Sequence, residues 1–134
     1  MPPRYFTPEE ANEALAAIRP LTVELVRRRE SLALAHARRA TLAEQIGGNG
    51  GGIPPSELGE ATEDLEREAE AVARCIHGIT ELGAQVKDPD EGLVDFPARR
   101  GDEDVLLCWK LGEDDVAFWH GAEEGFAGRK PLPL

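Results

Sequence analysis

The run Gly47-Gly48-Asn49-Gly50-Gly51-Gly52, followed by Ile53 and then Pro54-Pro55, cuts the chain into two periodic stretches that cannot be one helix. So glycine-rich a segment leaves only a flexible turn, and the prolines restart the chain beyond it. Two helices joined by so short a turn pack antiparallel by default. The segment therefore fixes a long helical hairpin before any other residue is considered.

The first helix has a clear start. Thr7-Pro8-Glu9-Glu10 offers a hydroxyl at the N-cap, proline at the first helical position and glutamate at the capping-box position, with Tyr5 and Phe6 placed to staple against Ala11. A periodic pattern runs on to about Ile46, and Pro20 predicts a kink or break near Arg19. Beyond it, Leu21, Leu25, Arg28, Leu32, Ala35, Arg39, Leu42 and Ile46 follow alternating spacings of four and three. Ser56 is the expected N-cap of the second helix. Leu58, Thr62, Leu65, Ala69, Val72, Ile76 and Ile79 then give a regular coiled-coil seam, closed by Leu82 or Gly83. At 1.5 Å per residue this helix is about 40 Å long.

Charge supports the pairing. From Arg19 to Ile46 there are six arginines and three glutamates, a net of +3. From Ser56 to Leu82 there are eight acids and two arginines, a net of −6. A basic helix beside an acidic one gains complementary edge charges, so Arg27-Arg28-Arg29 and Arg38-Arg39 read first as hairpin partners and only second as an RNA-binding face. The whole chain carries −11, which disfavours nucleic acid and anionic lipid alike. The N-terminus has no signal-peptide apolar stretch, and no run approaches the roughly 20 apolar residues of a membrane span. The expectation is a cytoplasmic protein in which Cys75 and Cys108 are reduced thiols.

After Gly83 the period changes. Leu93-Val94-Asp95-Phe96-Pro97 reads as a short strand ended by proline, Val105 to Leu111 as an apolar strand, and Val116-Ala117-Phe118-Trp119-His120 as a third. Arg99 to Asp102 and Gly112 to Asp115 are turn material. The predicted fold is α+β: a hairpin over 1–87 and a three-stranded antiparallel meander over 88–134, ending in an irregular tail pinned by Phe126.

Several of these segments resemble one known family. Gly92-Leu93-Val94-Asp95-Phe96-Pro97, Leu107 to Glu113, Phe118-Trp119-His120 and Gly125-Phe126-Ala127-Gly128-Arg129 occur in the order of the uncharacterised prokaryotic family called domain of unknown function 2203. Tyr5 to Asn12 is similar to the family's start. Cys75 with His77, and the glycine turn, depart from its pattern. The resemblance spans nearly the whole chain and implies a chain plan, not an activity.

The candidate chemistry is in the meander. Asp95, Cys108 and His120 put one polar residue on each predicted strand, and carboxylate, thiolate and imidazole together suit zinc or iron. Their spacing matches no zinc signature, so register decides whether they can meet. Pairing Lys110 with Asp115 turns His120 away from Cys108, whereas pairing Lys110 with Val116 puts both on one face. The plainer alternative is a buried Cys108, a turn-bonded His120 and an Asp95 that accepts backbone N–H bonds. Nucleophilic catalysis by Cys108 needs an exposed thiol beside a cation or His120. Cys75 and His77 are two apart on a helix and point in different directions. Trp109, Trp119, Phe126 and Arg129 are either covered core or a recognition surface for a protein partner.

Two functions remain open. The first is a non-enzymatic, self-associating interaction protein that assembles through its helices. The second is a metal-binding or small catalytic protein using Asp95, Cys108 and His120.

Overall fold

The computed structural model describes residues 4–48 and 52–134, so Asn49, Gly50 and Gly51 of the expected turn lie outside the described residues. Helix α1 spans Pro8–Gly48 and opens on the expected capping box. The Glu10 N–H donates to Thr7 Oγ1 at 3.1 Å, and the Thr7 N–H donates to Glu10 Oε1 at 2.9 Å. Phe6 and Ala11 are both buried in the core below. The helix passes through Pro20 without the expected break. Pro20 removes the bond to the Ala16 carbonyl, but both residues are exposed, so water can take the freed acceptor.

Helix α2 spans Pro55–Glu81. Its N-cap is Pro54 rather than Ser56, which lies inside the first turn. Pro55 at the first helical position supplies the helical φ without needing an N–H partner, so no side-chain cap is formed. Pairs running in opposite orders fix the antiparallel packing: Gly78 meets Leu21, Arg28 binds Glu68, Arg38 binds Asp64 and Arg39 binds Thr62. The expected basic-to-acidic edge is thus present. The seam of α2 is rotated slightly: Val72 and Ile79 are buried as expected, but Ala61, Ala71 and Cys75 join them while Ala69 is exposed. Leu82 caps the helix and Gly83 leaves it at φ +95°.

The sheet has five antiparallel strands in the order β1-β2-β3-β4-β5, not three. They span Gln85–Asp88, Leu93–Arg100, Glu103–Lys110, Phe118–Gly121 and Lys130–Pro131, with a short 3-10 turn at Phe126–Gly128. The two additional strands are the short outer ones, and β1 straddles the 87/88 boundary expected between hairpin and meander. Pro97 does not end β2; it pairs with Leu106 inside the strand. The β1 ladder reaches only Asp95, so the flank of Pro97 has no strand neighbour and its missing N–H costs no ladder bond. The Pro97 carbonyl on that flank accepts the Phe6 N–H at 2.7 Å. Arg99 and Arg100 belong to β2, leaving a two-residue turn with Gly101 at φ +61°.

One face of the sheet packs on the hairpin. Val94, Phe96, Ala98, Val105, Leu107, Trp109 and Trp119 join Leu15, Ile18, Leu25, Val72, Cys75 and Ile79 in a single core. Phe6 meets Phe96 edge to face at 5.2 Å. The alternate residues therefore point to the opposite, outer face. Among the described residues no helix is long and apolar enough to cross a membrane.

Candidate metal centre

Register assembles the site. Cys108 pairs with Phe118 and Leu106 with His120, which is the frame in which Lys110 would oppose Val116. On the other side Asp95 lies directly opposite Cys108. Asp95, Cys108 and His120 thus share the outer face of three adjacent strands, β2, β3 and β4.

The frame is held from the hairpin. The loop between β3 and β4 is fastened to α1 by Asn12, whose Oδ1 accepts the Val116 N–H at 2.7 Å. Arg19 donates to the Glu113 and Asp114 carbonyls at 3.1 and 2.6 Å. The Trp109 indole N–H also donates to the Glu113 carbonyl at 3.0 Å. Turning the aromatic face of β3 and β4 into the core leaves the polar alternates on the outside.

That outside is not open to solvent. Asp95, Cys108 and His120 are all buried, and Ala122, Glu124, Gly125 and Phe126 of the segment that follows β4 lie around Asp95 and His120. Arg129 holds the end of this segment down: it makes a two-oxygen ion pair with Glu113, at 2.6 and 2.9 Å, and donates to the Cys108 carbonyl at 3.2 Å. Its guanidinium also lies 4.1 Å from the Phe118 ring centre and 4.6 Å from that of Phe126. Burial pushes the Glu113 carboxyl upward, but the Arg129 bonds and the Lys110 N–H outweigh it and leave the group below the ordinary glutamate range.

One potential ligand atom from each of Asp95, Cys108 and His120 lies within 4.8 Å of the others. His120 Nδ1 is 2.8 Å from the Gly121 carbonyl, so it carries the hydrogen and turns Nε2 inward. His120 Nε2 is 3.0 Å from Asp95 Oδ2. Among the described residues Asp95 Oδ1 is buried with no nitrogen or oxygen partner, and the neighbouring Cys108 thiol is a weak donor to the same carboxylate. Burial raises the Asp95 carboxyl above its ordinary range, against the pull of His120, Cys108 and Lys87. Burial, and then the adjacent Asp95 charge, push the Cys108 thiol up to about 12, against the pull of Arg129. A thiol so placed is protonated and fully enclosed, and the imidazole faces the carboxylate instead of the sulfur. This is not the arrangement of a cysteine nucleophile.

The donor set fits a small divalent ion. Ligands at the usual zinc distances sit about 3.5 Å apart around a tetrahedron. The three donor atoms lie within 4.8 Å of one another, so they would draw closer on taking up an ion. Beside them opens a pocket of about 200 Å³, lined by Asp95 and His120 with Lys87, Leu106, Glu124 and Phe126.

The other sequence candidates are dispersed. Trp109 and Trp119 are buried on the helix side of the sheet, so they form no common surface with Phe126 and Arg129, which lie on the outer side. Arg129 stacks on Phe118, which alternates with Trp119 along β4, and on Phe126, which puts Arg129 and Phe126 on the face opposite the tryptophans. Phe126 is 43% exposed. Cys75 is buried in the core and His77 is exposed beside Glu81, so they share no site. Asn12, Arg19, Glu113 and Lys87 have structural or pocket roles that the sequence reading did not find. An asparagine in the second turn of a helix, where it is a poor helix former, was the one available signal.

A family model described as an uncharacterized conserved protein, DUF2203, matches residues 4–132. The chain belongs to this family. No curated protein and no solved structure matches it.

Proposed function

We propose that this member of the family is a metal-binding protein whose Asp95, Cys108 and His120 hold one divalent transition-metal ion, zinc in the first instance and iron(II) as the alternative. The observation that carries the reading is the convergence of three buried donors within 4.8 Å on one sheet face, where Asp95 Oδ1 has no nitrogen or oxygen partner among the described residues. A buried carboxylate oxygen without a partner costs about 1–3 kcal/mol, and a cation is the partner that removes this cost. The apolar core lies on the other face of the sheet, so the three polar groups are not needed to fill it. Thiolate and imidazole together favour zinc or iron over magnesium or calcium. The Gly121 carbonyl on Nδ1 is the kind of second contact that orients a ligating imidazole.

Protein purified without chelators, and separately stripped and reloaded, should carry about one equivalent of zinc or iron. Cys108→Ser and His120→Ala should each lower the metal content sharply while circular dichroism stays unchanged. Metal content at background, with no uptake on reloading, would remove the reading. So would equal uptake by the two variants.

A second reading, self-association through the helices, has its own observation. In the far half of the hairpin Leu34 is 68% exposed, and the exposed Arg27 and Arg38 of α1 are opposite in charge to the exposed Glu60, Glu63, Glu66 and Glu70 of α2. A second copy could lay its basic α1 face on this acidic one and extend the seam. Sedimentation of the wild type and of Leu34→Glu tests it. A wild-type dimer that the substitution dissociates supports the reading, and a wild-type monomer at tens of micromolar removes it.

A further inference from the structure

The geometry points to a specific use for the pocket beside the three donors: we infer that it takes a small carboxylate with a short apolar tail, bound through the metal ion and Lys87. This rests on the metal reading above.

The side chains of Asp95, Cys108 and His120 all rise from one face of the sheet, so an ion held by them lies outside the sheet. Asp95 and His120 line the pocket, and Cys108, which is not part of the lining, has its sulfur within 4.8 Å of their donor atoms. Three protein ligands leave a fourth tetrahedral position, the pattern of zinc sites that bind exogenous molecules. The strands fill the inner side, so that position opens into the pocket. Its volume of about 200 Å³ holds roughly six water-sized groups at 30 Å³ each. That suits a carboxylate of four or five carbons.

Charge and lining select the chemistry within that size. One divalent ion on a carboxylate, a thiolate and a neutral imidazole has no net charge. Glu124 lines the pocket, but its carboxylate lies 2.6 Å from the Lys130 ammonium and also accepts the Gly121 N–H at 2.7 Å. Lys87 is then the unpaired cation of the lining among the described residues. It reaches the lining beside Asp95 from the irregular position of β1 between Val86 and Asp88. Leu93, Leu106, Ala122 and Phe126 supply the rest of the wall. A ligand with one anionic end and an apolar body satisfies both halves. A sugar or a polyamine leaves one of them unmatched.

Cobalt(II)-loaded protein, titrated with butyrate and in parallel with butylamine, tests this by visible absorption. Butyrate should change the cobalt bands saturably, and butylamine should not do so at the same pH. Lys87→Met should load cobalt as the wild type does and bind butyrate about fivefold more weakly, the upper range for one exposed charge pair. Leu106→Trp, which fills the pocket, should keep cobalt and lose the response. Cobalt uptake with no butyrate response overturns this inference and leaves the metal centre standing. Equal butyrate binding by Lys87→Met also overturns it. Failure to take up cobalt removes this inference and the metal reading together.

Discussion

Asp95 and His120 sit on strands that never pair, β2 and β4, yet their side chains meet above β3 with Nε2 3.0 Å from Oδ2. The Cys108 side chain rises from the strand between them. Burial lifts the Asp95 carboxyl above its ordinary range, so below about pH 4 the unfolded and folded chains are both protonated there and no cost arises. As pH rises through the folded value the carboxylate forms in a buried site, and that contribution to stability is lost. At neutral pH the metal-free protein therefore bears a penalty.

Asp95→Asn removes it. The amide can donate to Nε2 of an Nδ1-protonated His120 and keep the contact. Metal-free Asp95→Asn should be more stable than the wild type at pH 7.5 by about 1 kcal/mol in urea unfolding, and should lose metal affinity. A variant that is less stable by a similar amount would show that the carboxylate is there to support the fold.

Asn12 lies far from the donors and still bears on them, through its bonds to the Val116 backbone at 2.7 and 3.4 Å. Asn12→Ala should destabilise the protein by about 1–3 kcal/mol by leaving the Val116 N–H unpaired. Amide exchange should accelerate at Val116 and along β4, while α2 stays protected. Metal affinity should fall without any ligand having been changed.

The Glu113–Arg129 pair sets an acid limit. The Glu113 carboxyl titrates below its ordinary value of 4.5 in the folded chain, so its contribution is complete above that pH and is lost as pH falls through the folded value. Glu113→Gln should cost about 2 kcal/mol at pH 7 and progressively less as pH falls through the folded value. A plot of unfolding midpoint against pH checks this; parallel curves for wild type and variant would contradict it.

Gly92 allows the β1–β2 turn to lie against the helix. Its φ is +71°, and an added Cβ would come within 2.7 Å of Leu111 Cβ and 3.2 Å of Thr22 Cγ2. Gly92→Ala should lower stability by about 2–3 kcal/mol, from the left-handed backbone and the contact together. Gly101→Ala, with the same sign of φ but open space around it, should cost less. Thermal melts of the two variants separate the steric part.

Much of the architecture could be read from local chemistry. Thr7-Pro8-Glu9-Glu10 carries its own cap, the glycine run and Pro54-Pro55 separate the two helices, and the apolar run from Val105 to Trp109 marks a strand. Such features depend on neighbours a few residues away, so the sequence contains the information directly. The short β1 and β5 were missed because four and two residues are too few to show a period, and they are strands only because a longer neighbour pairs with them. Pro20 misled because its cost depends on whether the freed carbonyl reaches water, which is a property of the surface.

The sequence by itself determined the hairpin, the α+β class and the three residue types capable of metal chemistry. It left two frames for β3 and β4, one residue apart, and only in one do Cys108 and His120 share a face. The tertiary structure decided between them. Trp109, Leu107 and Trp119 are drawn into the helix-facing core while Asn12 and Arg19, on another element, grip the connecting loop. A strand alternates with a period of two, so that long-range grip turns every side chain of β4 at once, and it brings His120 to Asp95.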